Sequence, residues 1–214
     1  MEREAPPLNR LRICLAALSP HVDPDRVALT GGVAIALSLP EGRWPRAGAP
    51  IADLDLVADS RDAVRNTVAA AFLVSHYHVP QPGYAKFMIQ LVEPGSRLRV
   101  DIFPADPGSL ERARPVTLDG RRWLVLDLES ILAHKLRTLA GASAAAPVPR
   151  KHFEDARALA RHAGREIPAV PPAHLSREVF SQDLDMRCAR CEASSDPGFP
   201  LAPKRRIHDL LGYV

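Results

Sequence analysis

The stretch IADLDLVAD, residues 51–59, sets two acids one residue apart inside an apolar run. On a β-strand successive side chains alternate between faces, so Asp53 and Asp55 share one face while Leu54 and Leu56 enter a core on the other. Two carboxylates held side by side repel unless something positive lies between them. A divalent ion meets that need, because Mg²⁺ is held by one or two carboxylates and completes its shell with water and substrate phosphates. Spacing alone is a weak signal. The chain carries its own control in Asp183 and Asp185, a second D-L-D with no glycine turn ahead of it and no clear strand around it.

Context separates the two pairs. Upstream of Asp53, the sequence VALTGGVAIALSL brings an apolar approach to Thr30, Gly31 and Gly32 and then continues as a short apolar helix over residues 33–39. Glycines at a helix start let backbone N–H groups and the positive end of the helix dipole face a phosphate. Downstream, RLRVDIF alternates Asp101 with Val100 and Ile102 on a further strand. Asp101 is thus a candidate third metal ligand, or the base that deprotonates an attacking hydroxyl. Glycine turn, helix, D-x-D strand and third acid together describe metal-assisted displacement at the α-phosphate of a nucleotide.

The remaining pattern is mixed. Leucines at 8, 11, 15 and 18 predict an amphipathic helix that packs Cys14, and DSRDAVRNTVAAAF predicts another, capped by Asp59 or Ser60. FLVSHYHV and KFMIQLV read as strands, and Asp119-Gly120 reads as the turn of a hairpin. After residue 126 the period becomes helical. DLESILAHKLRTLAG starts at the N-cap candidate Asp127 and ends at Gly141, and RKHFEDARALARHAG follows a loop of Ala, Pro and Ser. The expected class is α/β (α+β): a mixed sheet flanked by helices over residues 1–126, a helical subdomain over 127–165, and a proline-dense wrapping segment or tail over 166–214.

Composition limits the function classes. Charged residues are 25% and hydrophobic residues 46% of the 214, which suits a globular protein able to bury a core. A net charge of +3 favours a polyanionic partner only weakly. No apolar run reaches the roughly 18 residues of a membrane span, and MEREAPPLNR lacks the apolar centre of a signal peptide, so a cytoplasmic location with no membrane partner is expected. The three cysteines form no disulfide framework.

These residues resemble the DNA polymerase β-type nucleotidyltransferase superfamily, whose signature is a Gly-Gly or Gly-Ser turn, then D-x-D, then a further Asp. The long gap between Gly32 and Asp53, with Arg46 inside it, is most similar to the AbiEii/MenT toxin branch. That branch carries a lysine in a helix like LESILAHKLRTLAG and a Lys/Asp pair in one like RKHFEDARALAR, which match Lys135, Lys151 and Asp155. The resemblance implies a Mg²⁺- or Mn²⁺-dependent enzyme that moves a nucleoside monophosphate from an NTP to an acceptor hydroxyl. It also implies a tRNA 3′ end as acceptor and a cognate antitoxin protein as partner. On that footing Asp53, Asp55 and Asp101 hold metal, Lys135 and Asp155 complete the catalytic set, and Thr30, Gly31, Gly32, Arg46 and Lys151 bind nucleotide. The match spans about residues 25–163; where family members often have Ser or Thr two positions before the first Asp, this chain has Ile51.

Alternatives stand beside several residues. Lys135 lies on an apolar stripe, where it either balances phosphate charge or snorkels to solvent. Asp155 either joins the site or pairs with Lys151 across one helical turn. Cys188 and Cys191 are half a zinc site if His174 or His208 completes it, and reduced thiols otherwise. His76 and His78 read as a solvated or packed pair, Trp44 and Trp123 as packing residues, and the basic run near Lys204, with Arg187 and Arg190, as an RNA contact, a partner contact or a solvated tail. Two rival functions remain: a small-molecule nucleotidyltransferase of the antibiotic-modifying kind, and an inactive binding module on the same scaffold.

Overall fold

The computed structural model describes residues 7–40, 42–47, 51–78, 87–167, 169–170 and 172–176. Helix α1 (Pro7–Leu18) opens it and buries Cys14, Leu15 and Leu18. Strand β1 (Val27–Leu29) leads through Thr30 into α2 (Gly31–Ser38), and β2 (Asp53–Ala58) carries the paired acids. A single turn of helix, α3 (Val68–Ala71), precedes β3 (Leu73–His78), β4 (Met88–Val92) and β5 (Arg99–Pro104). The hairpin β6 (Arg114–Leu118) and β7 (Arg121–Val125) follows, then α4 (Leu128–Ala140), β8 (Val148–Pro149), α5 (Arg150–His162) and β9 (Leu175–Ser176).

Seven strands form one mixed sheet in the order β3-β4-β5-β2-β1-β7-β6. β2 runs parallel to β5 and antiparallel to β1, and β1 runs parallel to β7. Helix α2 packs on β2 and α4, and α4 packs on α5. This is the mixed α/β architecture that the alternation and the later helical period imply. Leu54, Leu56, Val100, Ile102, Ile89 and Leu91 are fully buried along three adjacent strands. At about 25 cal/mol per Å² of apolar surface, such side chains contribute roughly 1.5–3 kcal/mol each.

Several local expectations hold at atomic detail. Asp119 and Gly120 both take positive φ (50° and 72°), as the tightest hairpin turn requires. Asp127 caps α4, its carboxylate accepting from the Ser130 N–H at 2.9 Å. One expectation fails: DSRDAVRNTVAAAF is not a continuous helix. It forms a 3₁₀ turn at Arg61–Ala63, then an extended bridge between Val64 and Val22, and only then α3. Arg65 N–H donates to His21 O at 2.8 Å, and Asp23 N–H to Ala63 O at 2.9 Å, so tertiary pairing takes the backbone groups that the helix would use. The second D-L-D at Asp183 and Asp185, the Cys188/Cys191 pair, His208 and the basic run near Lys204 lie outside the described residues.

Candidate active site

β2 and β5 are in register so that Asp55 faces Asp101 directly, while Asp53 faces Arg99. Alternation puts Asp53 with Asp55, and Arg99 with Asp101, on one face of the sheet. The result is a cluster in which one carboxylate oxygen from each of Asp53, Asp55 and Asp101 lies within 4.8 Å of the others. Among the described residues it is the group of three or more such side chains able to share a metal ion, and hard carboxylate oxygens are the donor set Mg²⁺ or Mn²⁺ prefers. His76 and His78 on β3 take no part in it.

The glycine turn is built against this cluster. Thr30 N–H donates to Asp55 O at 2.9 Å, joining the turn to β2. Gly31 has φ +61°, and a Cβ placed on it would lie 2.0 Å from Asp55 Oδ2. Both the left-handed backbone and the close approach therefore require glycine here. Thr30, Gly31 and Gly32 line a cleft of about 450 Å³ together with the three acids, Arg46, Lys135 and Lys151.

Asp55 is the acid least compensated by cations. Burial first, then the charges of Asp53 and Asp101, push its carboxyl up to about 7, against partial relief from Lys135 and Lys151. Asp53 Oδ2 instead has Arg99 Nη2 at 2.9 Å and Lys151 Nζ at 3.5 Å. Asp101, 4% exposed, is held from two sides: Gln90 Nε2 donates to Oδ1 at 2.9 Å, and Arg99 Nη2 lies 3.0 Å from Oδ2.

Asp155 occupies a different place from a pair with Lys151. Fully buried on α5, it accepts from Lys135 Nζ at 2.9 Å, from Arg46 Nη2 at 2.7 Å and from Trp44 Nε1 at 2.9 Å. Burial opposes its charge, yet Lys135, then Arg46 and Trp44, hold the carboxyl below its usual range. Lys135 is 4% exposed and does not snorkel; its ammonium also lies 3.3 Å from His152 Nδ1. Burial, then Lys135 and Lys151, lower His152 to about 3, so it is neutral at physiological pH and its Nδ1 accepts from the lysine. The Arg46 guanidinium lies over the Trp44 indole, 4.8 Å from its centroid, and Trp44 in turn packs on Gly32. Asp155 thus ties the loop between α2 and β2 to both later helices.

Thr30, Gly31, Gly32, Arg46, Asp53, Asp55, Asp101, Lys135 and Lys151 all line the one cleft, with Asp155 directly behind it. Three side chains that the sequence reading passed over, Arg99, Gln90 and His152, support the site, and Trp44 does more than pack. Arg99 was legible by the rule that singled out Asp53, since it stands two residues before Asp101 on an alternating strand. Gln90, a lone polar residue in MIQLV and directly opposite Asp101, was legible too. Trp44 was read as packing, which it does, but its Nε1–H also reaches Asp155. His152 carried no signal beyond standing next to Lys151.

Comparison with protein-family models and with curated proteins finds no match. Among solved structures the chain is similar to a protein from Thermotoga maritima described as a candidate nucleotidyltransferase, at 19% identity and TM-score 0.43, over 61% of this chain and 83% of that one. It is also similar to the antibiotic-resistance factor ANT(2'')-Ia, at 15% identity and TM-score 0.47, over 89% and 94%. A third likeness, to the Megavirus polyadenylate synthase, has 8% identity and TM-score 0.43; it covers 90% of this chain but only 44% of that one. These are remote likenesses of fold. No helix among the described residues is long and apolar enough to cross a membrane.

Proposed function

We propose that the chain is a metal-dependent nucleotidyltransferase of the polymerase β-like superfamily, moving a nucleoside monophosphate from an NTP to an acceptor hydroxyl. The observation that carries this reading is the convergence of Asp53, Asp55 and Asp101 beside the Gly31-Gly32 helix start in one cleft. Three carboxylates around one point repel one another without a divalent ion; burial first, and then Asp53 and Asp101, raise the carboxyl of Asp55. Asp53, Asp55 and Asp101 would hold Mg²⁺ or Mn²⁺. When bound, the ion offsets charge on the triphosphate and favours the ionised acceptor oxygen.

The chain's own groups do the rest. Gly31 and Gly32 line the cleft at the start of α2, where backbone N–H groups would donate to phosphate oxygens. Lys151 and Arg46 add positive charge for the triphosphate, and Lys135, fixed by Asp155, holds an ammonium at the cleft wall where charge develops. The acceptor oxygen attacks the α-phosphorus as the bond to pyrophosphate breaks. Its proton passes to a carboxylate of the triad, a role for Asp101, whose position Gln90 fixes.

Within this class the acceptor is RNA, with a tRNA 3′ end as the specific candidate and a toxin–antitoxin pair, the antitoxin being a second protein, as the setting. An aminoglycoside is polycationic and needs an acidic acceptor wall. Among the described residues lining the cleft, the acid outside the triad is Asp106, and it is paired with Arg137, while His134, Lys135, Lys151 and Arg46 make the wall neutral to basic. Incubating the protein with labelled NTPs and either total tRNA or aminoglycosides separates the acceptors. Wild type should label RNA and Asp55→Ala should not; equal labelling by both sinks the catalytic reading and leaves the inactive binding module.

A further inference from the structure

We propose that Arg99 is a built-in counter-ion of the acidic cluster, one that makes divalent-ion binding conditional on the nucleotide's triphosphate. The inference rests on the nucleotidyl-transfer reading for the identity of the second ligand, but the contacts behind it do not. Arg99 Nη2 reaches Asp53 Oδ2 at 2.9 Å and Asp101 Oδ2 at 3.0 Å, so one nitrogen bridges two of the three carboxylates that would hold the ion. It reaches them because β5 sets Arg99 directly opposite Asp53 and two residues before Asp101. The side chain is only 13% exposed, so these contacts are largely removed from water.

Charge counting gives the consequence. Among the described residues, and apart from Asp106, which is paired with Arg137, four acids, Asp53, Asp55, Asp101 and Asp155, line or back the cleft, against four cations, Arg46, Arg99, Lys135 and Lys151. With all eight ionised these charges sum to zero, but Arg46 and Lys135 are held on Asp155, so the three clustered acids have Arg99 and Lys151 as their cations. A lone divalent ion would sit next to a fixed guanidinium and would have to take oxygens that Arg99 already engages. A metal–triphosphate complex carries net negative charge instead. It also offers the guanidinium phosphate oxygens, which match its planar donors as well as carboxylates do. Arg99 can therefore exchange carboxylate for phosphate when the nucleotide enters, and its release of Asp53 and Asp101 opens the ion site. Ion and nucleotide then bind with positive coupling, each strengthening the other by the same factor.

The test uses the full chain, with Mn²⁺ binding read by electron spin resonance and calorimetry, with and without a non-hydrolysable NTP analogue. Wild type should bind Mn²⁺ weakly alone and at least about ten-fold more tightly once saturated with analogue. Arg99→Met should bind Mn²⁺ alone at least about ten-fold more tightly than wild type, and should lose most of the gain that the analogue brings. Mn²⁺ binding by Arg99→Met no tighter than that of wild type, or an undiminished gain, overturns the proposal. Arg99→Gln keeps N–H donors without the charge and carries the same expectation should the methionine variant misfold by circular dichroism. An analogue that binds neither protein counts against nucleotidyl transfer, whereas the comparison of Mn²⁺ affinity alone still decides whether Arg99 competes with the ion. Absence of Mn²⁺ affinity in wild type and both variants overturns both readings.

Discussion

Replacing Asp55 by asparagine should stabilise the metal-free protein while abolishing its activity. The Asp55 carboxyl is raised from an ordinary 3.8 to about 7, chiefly by burial and then by Asp53 and Asp101. A shift of about 3 units sets an upper bound of roughly 4 kcal/mol at about 1.4 kcal/mol per unit, reduced by water because Asp55 is half-buried at the cleft wall. The sign follows from proton counting. Below about pH 4 the carboxyl is protonated in both folded and unfolded chains, so it costs nothing. Between about pH 4 and 7 the folded state holds a proton that the unfolded state has lost, so stability falls as pH rises; above about 7 the full cost is present. Asparagine has the same shape and no charge to desolvate. In EDTA, urea unfolding should show Asp55→Asn more stable than wild type by about 2–4 kcal/mol at pH 8 and nearly equal at pH 4. Wild type should lose stability between pH 5 and 7 in a way the variant does not. A variant no more stable than wild type at pH 8 would refute the view that metal-free Asp55 bears an uncompensated charge.

Other substitutions probe the supports of the cluster. Gly31→Ala forces a Cβ to 2.0 Å from Asp55 Oδ2 at a φ of +61°, so it should cost about 1–2 kcal/mol in backbone strain alone, displace Asp55 and remove Mn²⁺ binding by calorimetry. Asp155→Ala leaves Lys135 buried without its carboxylate and frees Arg46; thermal melting should show a loss of about 3–5 kcal/mol, and trypsin should cut faster at Arg43 and Arg46. Gln90→Leu removes the donor that fixes Asp101 Oδ1, and metal affinity should fall about ten-fold with the fold intact by circular dichroism.

What the sequence disclosed about the fold depended on how local the cause was. Asp127 capping α4, the Asp119-Gly120 turn and the alternation of β2 are short-range, and each is readable in a window of a few residues. The segment after Ser60 departs from its helical pattern because its backbone is claimed by His21, Val22 and Asp23, some 40 residues away. Helix propensity in NTVAAAF survives there only as the single turn of α3.

The site divides along the same line. That Asp53 and Asp55 share a face is a property of one strand, but that Asp101 meets Asp55 rather than Asp53 is a property of β2–β5 register, which no single segment encodes. The same register decides what Arg99 does. One residue of slip would turn it from Asp53 to the opposite face of the sheet. Asp155 is the harder case, because its partners come from a loop more than 100 residues earlier and from the preceding helix. Read within its own helix, it has Lys151 as the obvious partner one turn back. In the fold, Lys151 belongs with Asp53, and Asp155 fixes the two cations that Asp53 does not have. The eight charges therefore sort into two groups. Arg99 and Lys151 sit on the acids that would bind metal, where a phosphate can draw them away. Arg46 and Lys135 are locked on a fully buried carboxylate, where neither ion nor nucleotide has reason to displace them. Loss of the first kind of contact should change binding, and loss of the second should change stability and, with it, the placement of the Arg46 and Lys135 charges at the cleft wall.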